Sequence, residues 1–120
     1  MQLHESAEMY LETIYILTNA HPQVRSIDVA QHLGYSKPSV SRAVSLLKQG
    51  GFVTTDEDGF LSLTDDGMRA AKKIFERHTV LQKLRVTMGV SEEPAAEDAC
   101  KIEHVISDES LDAIKRYLKA

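Results

Sequence analysis

Three side chains with metal-binding chemistry stand together near the end of the sequence, in the segment CKIEH: Cys100, Glu103 and His104. Positions i, i+3 and i+4 share one face of a helix, so a helical segment would place the thiol, the carboxylate and the imidazole side by side. All three groups are donors to divalent transition metals. Cys100 is the only cysteine, and a lone buried cysteine is usually a small hydrophobic residue. By itself the segment favours a metal site only modestly.

Further candidate ligands lie elsewhere. Met9 and Glu12 stand three residues apart in MYLE, and His78 lies in ERH. Each has an ordinary alternative, namely a core methionine, a solvated glutamate and a surface histidine. Sulfur, carboxylate and imidazole donors together suit Fe(II), Co(II), Ni(II) or Zn(II), whereas more carboxylates would favour Mn(II). The residues alone do not join these positions to CKIEH.

Hydrophobic periodicity and turn signals predict the elements that must position these side chains. The predicted order is three helices, a β-hairpin in FVTTDEDGFLSLT, and three more helices, which is a mainly α fold. Ser26 and Ser36 are predicted to cap the second and third helices. Ser91 and Ser107 are predicted to cap the fifth and sixth, and the fifth is expected to contain all of CKIEH.

The charge distribution and composition limit the class of protein. The net charge is −4, yet residues 25–48 contain four basic residues and one acid, so this stretch carries +3. Such asymmetry points to a charged partner. The chain has neither a secretory signal nor an apolar run as long as a membrane span, and its single cysteine fits a reducing compartment. We therefore expect a cytoplasmic protein with no membrane partner.

Two short helices joined at LGYSKPS and followed by a hairpin are typical of a winged helix-turn-helix. Hydroxyls and N–H groups at the start of the third helix suit phosphate oxygens, Arg42 could reach a guanine edge, and Pro38 could contact a thymine methyl. The acidic hairpin tip DED would repel phosphate, and some winged helices bind proteins instead. The candidate DNA-binding residues are Ser26, Ser36, Lys37, Pro38, Ser39, Ser41 and Arg42.

Several segments resemble, in the same order, the iron- and manganese-dependent repressor family that includes the diphtheria toxin repressor and the manganese transport regulator. They are SAEMYLETIYIL, SKPSVSRAVSLLKQGGFV, LTDDG, ERH and DACKIEHVISDE, within residues 5–118. The resemblance implies an N-terminal winged helix-turn-helix with a two-stranded wing (residues 1–64) and a helical metal-binding and dimerisation domain (residues 65–120). A two-domain form without the SH3-like domain of many iron-type members is expected.

The resemblance also implies a set of metal ligands. Met9, Cys100, Glu103 and His104 match the primary site of iron-type members. Glu12 and His78 match ligands of the manganese-type branch, and His78 also matches an ancillary ligand of the iron branch.

The chain departs from both branches. Gln82 and Ala96 replace a glutamate and a histidine of the iron-type ancillary site, and manganese-type members have carboxylates in place of the Met9 and Cys100 sulfurs. The site is a hybrid. Fe(II) is favoured and Mn(II) is the alternative, with Co, Ni or Zn as substitutes in vitro.

The sequence therefore predicts a metal-dependent repressor of metal-uptake genes that binds palindromic operators as a homodimer. Metal is hypothesised to draw ligands of the first and fifth helices onto one ion. A metal-independent winged-helix regulator and a small metal-delivery protein are the alternatives. We do not expect an enzyme, because phosphate-binding glycine loops, a nucleophile elbow and H-E-x-x-H are absent from the sequence.

Overall fold

The structure is a computed structural model of the 120-residue chain, and it describes residues 5–119. The order of its elements confirms the predicted mainly α fold with a two-stranded wing. The described residues form two compact units, and the boundary lies between Lys72 and Lys73. The elements are α1 (Glu5–Ala20), α2 (Ser26–Leu33), α3 (Lys37–Gln49), β1 (Val53–Thr55), β2 (Leu61–Leu63), α4 (Asp65–Thr87), α5 (Glu92–Ile102) and α6 (Asp108–Lys119).

The first unit packs α1, α2 and α3 around one apolar core, with the hairpin at its edge. On α3, Val40, Val44 and Leu47 are buried and Ala43 between them is half-buried, so these positions form the inward face of the helix. The same spacing leaves the opposite face of α3 exposed to solvent. The other buried apolar residues of this unit are Tyr10, Leu11, Ile14, Val24, Val29, Ala30, Val53, Leu61 and Ala71.

The turn between α2 and α3 is fixed by a left-handed glycine and by a serine that caps α3. Gly34 has a φ of +73°, a left-handed conformation that favours glycine, and is the C-cap of α2. Ser36 caps α3 as predicted, because its Oγ accepts a hydrogen bond from the N–H of Ser39 at 3.4 Å. This cap sets where the exposed first turn of α3 begins.

The predicted cap at Ser26 is wrong. Arg25 occupies the N-cap position in extended conformation, and Ser26 is the first helical residue. The reason is Asp28, whose carboxylate accepts a hydrogen bond from the backbone N–H of Arg25 at 2.8 Å. This is the reciprocal half of a capping box, and it fixes the helix start one residue earlier.

The predicted hairpin is confirmed, with β1 and β2 antiparallel and Val53 opposite Leu63. Its tip is ordered by Asp56, whose Oδ1 accepts hydrogen bonds from the N–H groups of Asp58 and Phe60, both at 2.9 Å. Arg25 holds the tip from outside, since its guanidinium lies 4.5 Å from the Phe60 ring centroid and its Nε donates to the Asp58 carbonyl. The wing is therefore fastened to the start of α2.

The second unit contains most of α4, together with α5 and α6. Its buried apolar side chains are contributed by all three helices, and Ser107 caps α6 as predicted by accepting from the Ser110 N–H at 3.1 Å. Among the described residues, no helix is long and apolar enough to cross a bilayer. The buried apolar residues of this unit are Ile74, Leu81, Ala95, Ala99 and Leu111.

The expectation that α5 contains all of CKIEH is wrong. The helix ends at Ile102; Glu103 is its C-cap with helical φ and ψ of −57° and −26°, and His104 lies in the following turn. The turn forms because the N–H groups of Val105 and Ile106 both donate to the Ile102 carbonyl. Cys100 and Glu103 therefore keep their helical i, i+3 relationship, whereas the position of His104 is set by the turn.

Candidate functional site

Glu103 is the centre of the candidate metal site, and its side chain is fully buried. Its two carboxylate oxygens face different imidazoles. Oε2 lies 3.0 Å from Nδ1 of His78 on α4, and Oε1 lies 3.2 Å from Nε2 of the adjacent His104. A carboxylate is thus held between two nitrogen donors inside the second unit.

Cys100 completes a three-donor cluster. Its Sγ lies 3.7 Å from Nδ1 of His78, and the ligand atoms of His78, Cys100 and Glu103 all lie within 4.8 Å of one another. Burial is graded across the cluster, because Cys100 is exposed, His78 is half-buried and Glu103 is buried. An ion could therefore enter from solvent on the cysteine side. Thiolate, imidazole and carboxylate are a donor set for Fe(II), Co(II), Ni(II) or Zn(II).

The electrostatics of Glu103 favour a cation at this place. Burying a carboxylate is costly unless hydrogen bonds or a positive charge compensate it. Oε1 of Glu103 is buried and has no hydrogen-bond partner among the described residues, although Nε2 of His104 lies 3.2 Å from it. A divalent ion would supply the missing positive charge. The residues present therefore fit the metal that the sequence predicts.

Arg77, which was not among the predicted site residues, fixes the turn that carries Glu103 and His104. Its Nη1 donates to the Glu103 carbonyl at 3.4 Å, and its Nη2 donates to Oδ1 of Asp108 at 2.7 Å. Hydrogen bonding from Arg77, followed by the charge of Lys73, lowers the pKa of Asp108 below its ordinary range. Arg77 immediately precedes His78 in the sequence, which is the signal that could have identified it. It ties α4 to both ends of the α5–α6 connection.

Met9 and Glu12, the other predicted ligands, lie on α1 in the first unit. Glu12 is buried and Met9 is half-buried, and their three-residue spacing falls within one regular helix. Within this unit the Sδ of Met9 accepts a hydrogen bond from the Tyr35 hydroxyl at 3.8 Å. That they ligate the same ion as the residues of the second unit stays a prediction.

The candidate nucleic-acid interface is the exposed side of α3. Ser36, Lys37, Pro38, Ser41 and Arg42 are exposed, whereas Ser39 and Ser26 are half-buried. The Ser36 hydroxyl donates to Oγ of Ser39 at 2.8 Å, so both serines also serve the helix cap.

Ser45 and Leu46, one turn further along α3, were not among the predicted DNA-binding residues. They line a depression of about 370 Å³ together with Ser41 and Arg42. Leu46 is 56% exposed, an unusual environment for a large apolar side chain. The signal for both was their i+3 and i+4 spacing from Arg42.

Both parts of the chain match family models. Residues 2–61 match the N-terminal DNA-binding domain of iron-dependent repressors. Residues 64–120 match the iron-dependent repressor metal-binding and dimerisation domain. The chain belongs to the iron-dependent repressor family. The resemblance drawn from the sequence motifs is thereby confirmed.

Individual repressors are similar over almost the whole chain. It is 32% identical over 113 residues to the transcriptional regulator MntR of Escherichia coli O157:H7, which covers 94% of this chain and 73% of MntR. It is 30% identical over 118 residues to the diphtheria toxin repressor of Corynebacterium diphtheriae, covering 98% and 52%. A solved manganese-dependent transcriptional repressor in complex with manganese is 28% identical, with a TM-score of 0.87 and coverage of 94% and 52%. The chain thus spans about half the length of the last two proteins.

Proposed function

We propose that this protein is a cytoplasmic, metal-dependent transcriptional repressor that controls metal-uptake genes. The observation that carries the proposal is the convergence of His78, Cys100 and Glu103 in a chain that also contains a winged helix with an exposed third helix. We assign DNA binding to residues 1–64, and metal binding and dimerisation to residues 65–120. No catalytic role is part of this proposal.

The metal would be held by His78, Cys100, Glu103 and His104, with Met9 and Glu12 assigned on the resemblance. When bound, the ion supplies positive charge beside the buried carboxylate of Glu103. We favour Fe(II), because a thiolate and two imidazoles accompany the carboxylate, with Mn(II) as the alternative and Co, Ni or Zn as substitutes in vitro.

In the proposed complex, α3 enters the major groove of a double-stranded operator with its first turn towards the bases. Lys37 and the N–H groups at the helix start contact phosphates, together with the hydroxyls of Ser26, Ser36, Ser39 and Ser41. Arg42 reads a base edge, and Pro38 contacts a thymine methyl. The wing tip makes little phosphate contact, because residues 56–58 are exposed acids.

A homodimer places two such helices on a palindromic operator, with half-sites ~34 Å apart if they are separated by one turn of DNA. Exposed apolar side chains on the second unit support dimerisation, since large apolar groups on a surface often mark an interface. Met88, Val105 and Tyr117 are each more than two-thirds exposed, and Phe75 is 40% exposed.

The proposal is tested by selecting an operator from random duplex DNA and measuring its Kd by fluorescence anisotropy under anaerobic conditions. We expect Fe(II) or Mn(II) to tighten binding by more than about tenfold over the chelator-treated protein, within the usual range of allosteric coupling. Glu103→Ala should lose this effect. Glu97→Ala, which removes an exposed acid from α5, is the matched control. A Kd unaffected by metal at fixed ionic strength would indicate a metal-independent winged-helix regulator instead.

A further inference from the structure

Tyr35 joins the start of the DNA-reading helix to a predicted metal ligand within the first unit. Its hydroxyl donates to Sδ of Met9 at 3.8 Å. Its ring lies edge-on against Tyr10, with centroids 6.1 Å apart and an interplanar angle of 69°. Two neighbouring residues of α1 are therefore in contact with one side chain from the α2–α3 turn.

The backbone of Tyr35 is hydrogen-bonded, as its side chain is. Its N–H donates to the Ala30 carbonyl at 3.1 Å, which also accepts from Gly34. The next residue, Ser36, is the N-cap of α3. A displacement of the Tyr35 side chain would therefore shift Ser36, and with it the cap that sets the first turn of α3.

The hydrogen bond from Tyr35 restricts the flexible side chain of Met9. Methionine has three rotatable side-chain bonds and a soft, polarisable sulfur, so an unanchored thioether must be ordered when it binds an ion. A thioether sulfur has two lone pairs. One can accept the Tyr35 hydrogen bond while the other remains available to a metal.

We propose that Tyr35 is a positioning residue that couples metal binding at Met9 to the orientation of α3. This inference rests on the proposed function, and specifically on Met9 being a metal ligand. The hydrogen bond pre-orders the thioether for the ion, and the ion in turn fixes Tyr35 and the cap of α3. Since coupling between two binding sites is reciprocal, the same contact raises the affinity for metal and for DNA.

Tyr35→Phe isolates the hydroxyl, because the ring and its contact with Tyr10 are kept. The quantity to measure is the ratio of the operator Kd without metal to the Kd with saturating Mn(II). We expect this ratio to fall by roughly fivefold, the effect of losing one hydrogen bond from the coupled state. Ser62→Ala, which removes a hydroxyl from an exposed position of β2 in the same unit, is the matched control and should leave the ratio unchanged.

A second measurement needs no metal. In protein labelled with methyl-¹³C methionine, we expect the Met9 methyl resonance, assigned with Met9→Leu, to move in Tyr35→Phe and to stay in place in Ser62→Ala. An unmoved resonance would overturn the contact on which the inference depends.

The possible failures are distinguishable. If the wild-type protein binds the operator with the same Kd with and without Mn(II), so that the ratio is one, the proposed function is overturned, and this inference with it. A metal-dependent wild type with an unchanged ratio in Tyr35→Phe overturns the inference alone. Equal weakening of DNA binding with and without metal would assign Tyr35 a purely structural role, which also overturns it.

Discussion

Nδ1 of His78 lies 3.0 Å from Oε2 of Glu103, although 25 positions separate the two residues in the chain. The same nitrogen lies 3.7 Å from Sγ of Cys100. One imidazole nitrogen on α4 thus faces both a thiol and a buried carboxylate of the α5 segment. The fold therefore brings the metal-binding groups of CKIEH together with an imidazole from another helix.

Cobalt spectroscopy tests whether Cys100 coordinates the metal. In an anaerobic Co(II) titration we expect a thiolate-to-cobalt charge-transfer band, whose assignment is simple because the chain has one cysteine. Cys100→Ser should lose the band and bind Co(II) at least about tenfold more weakly, since a thiolate ligand is replaced by a hydroxyl. Lys101→Ser, at the next exposed position of α5, should leave the spectrum unchanged. Specific binding without the band in the wild type would instead indicate a site of carboxylate and imidazole donors.

Glu103→Gln should separate the electrostatic cost of the site from its metal affinity. The substitution removes a buried charge and keeps the shape of the side chain. We therefore expect the free energy of unfolding of the metal-free variant to lie within about 1 kcal/mol of the wild-type value, or above it. Metal should no longer raise Tm, because stabilisation by a ligand requires its binding to the folded state. Thermal unfolding with and without Mn(II) measures both effects.

The control for this prediction is Glu97→Gln, at an exposed position of α5, which should keep the full metal-induced rise in Tm. A rise of wild-type size in Glu103→Gln would remove Glu103 from the set of ligands.

Arg42 and Lys37 should affect DNA binding in different ways. Arg42→Ala is expected to cost about 1–3 kcal/mol on the selected operator and far less on random DNA, because a base contact carries sequence information. Lys37→Ala should weaken binding to both DNAs similarly and reduce the slope of log K against log [salt] by about 1. Anisotropy titrations at several salt concentrations distinguish the two. Equal losses on both DNAs for Arg42→Ala would exclude it as a base-reading residue.

The ion pair of Asp108 with Arg77 and Lys73 predicts a pH dependence of stability. Because these partners lower the pKa of Asp108, its contribution is present at neutral pH. It should disappear as the pH falls below about 4, through the lowered pKa of the folded state. We expect Asp108→Asn to destabilise the protein at pH 7, with the difference shrinking towards acid pH and in 1 M salt, which screens exposed charges. Urea unfolding across this pH range measures it.

Glu109→Gln is the matched control, because both acids lie in the first turn of α6 and interact similarly with the helix dipole. The excess loss in Asp108→Asn reports the pairing with Arg77 and Lys73. Equal losses in the two variants would assign the whole effect to the dipole.

Features that depend on local interactions could be predicted from the order of the residues. The cap at Ser36, the left-handed Gly34 and the hairpin around DEDG all follow from neighbouring residues, and the structure has each of them. The specific order of motifs also determined the family. The predicted cap at Ser26 is wrong because two local signals compete there. The Asp28 carboxylate accepts a hydrogen bond from the backbone N–H of Arg25, which moves the cap by one residue.

Contacts between side chains that are far apart in the sequence could not be predicted, because they depend on the tertiary structure. No periodicity relates His78 to Cys100 and Glu103, or Tyr35 to Met9, because these contacts depend on how whole helices pack. The end of α5 at Ile102 was likewise set by the turn that leads the chain into α6. The sequence supplied the donors, and packing determined their distances and burial, on which metal binding depends.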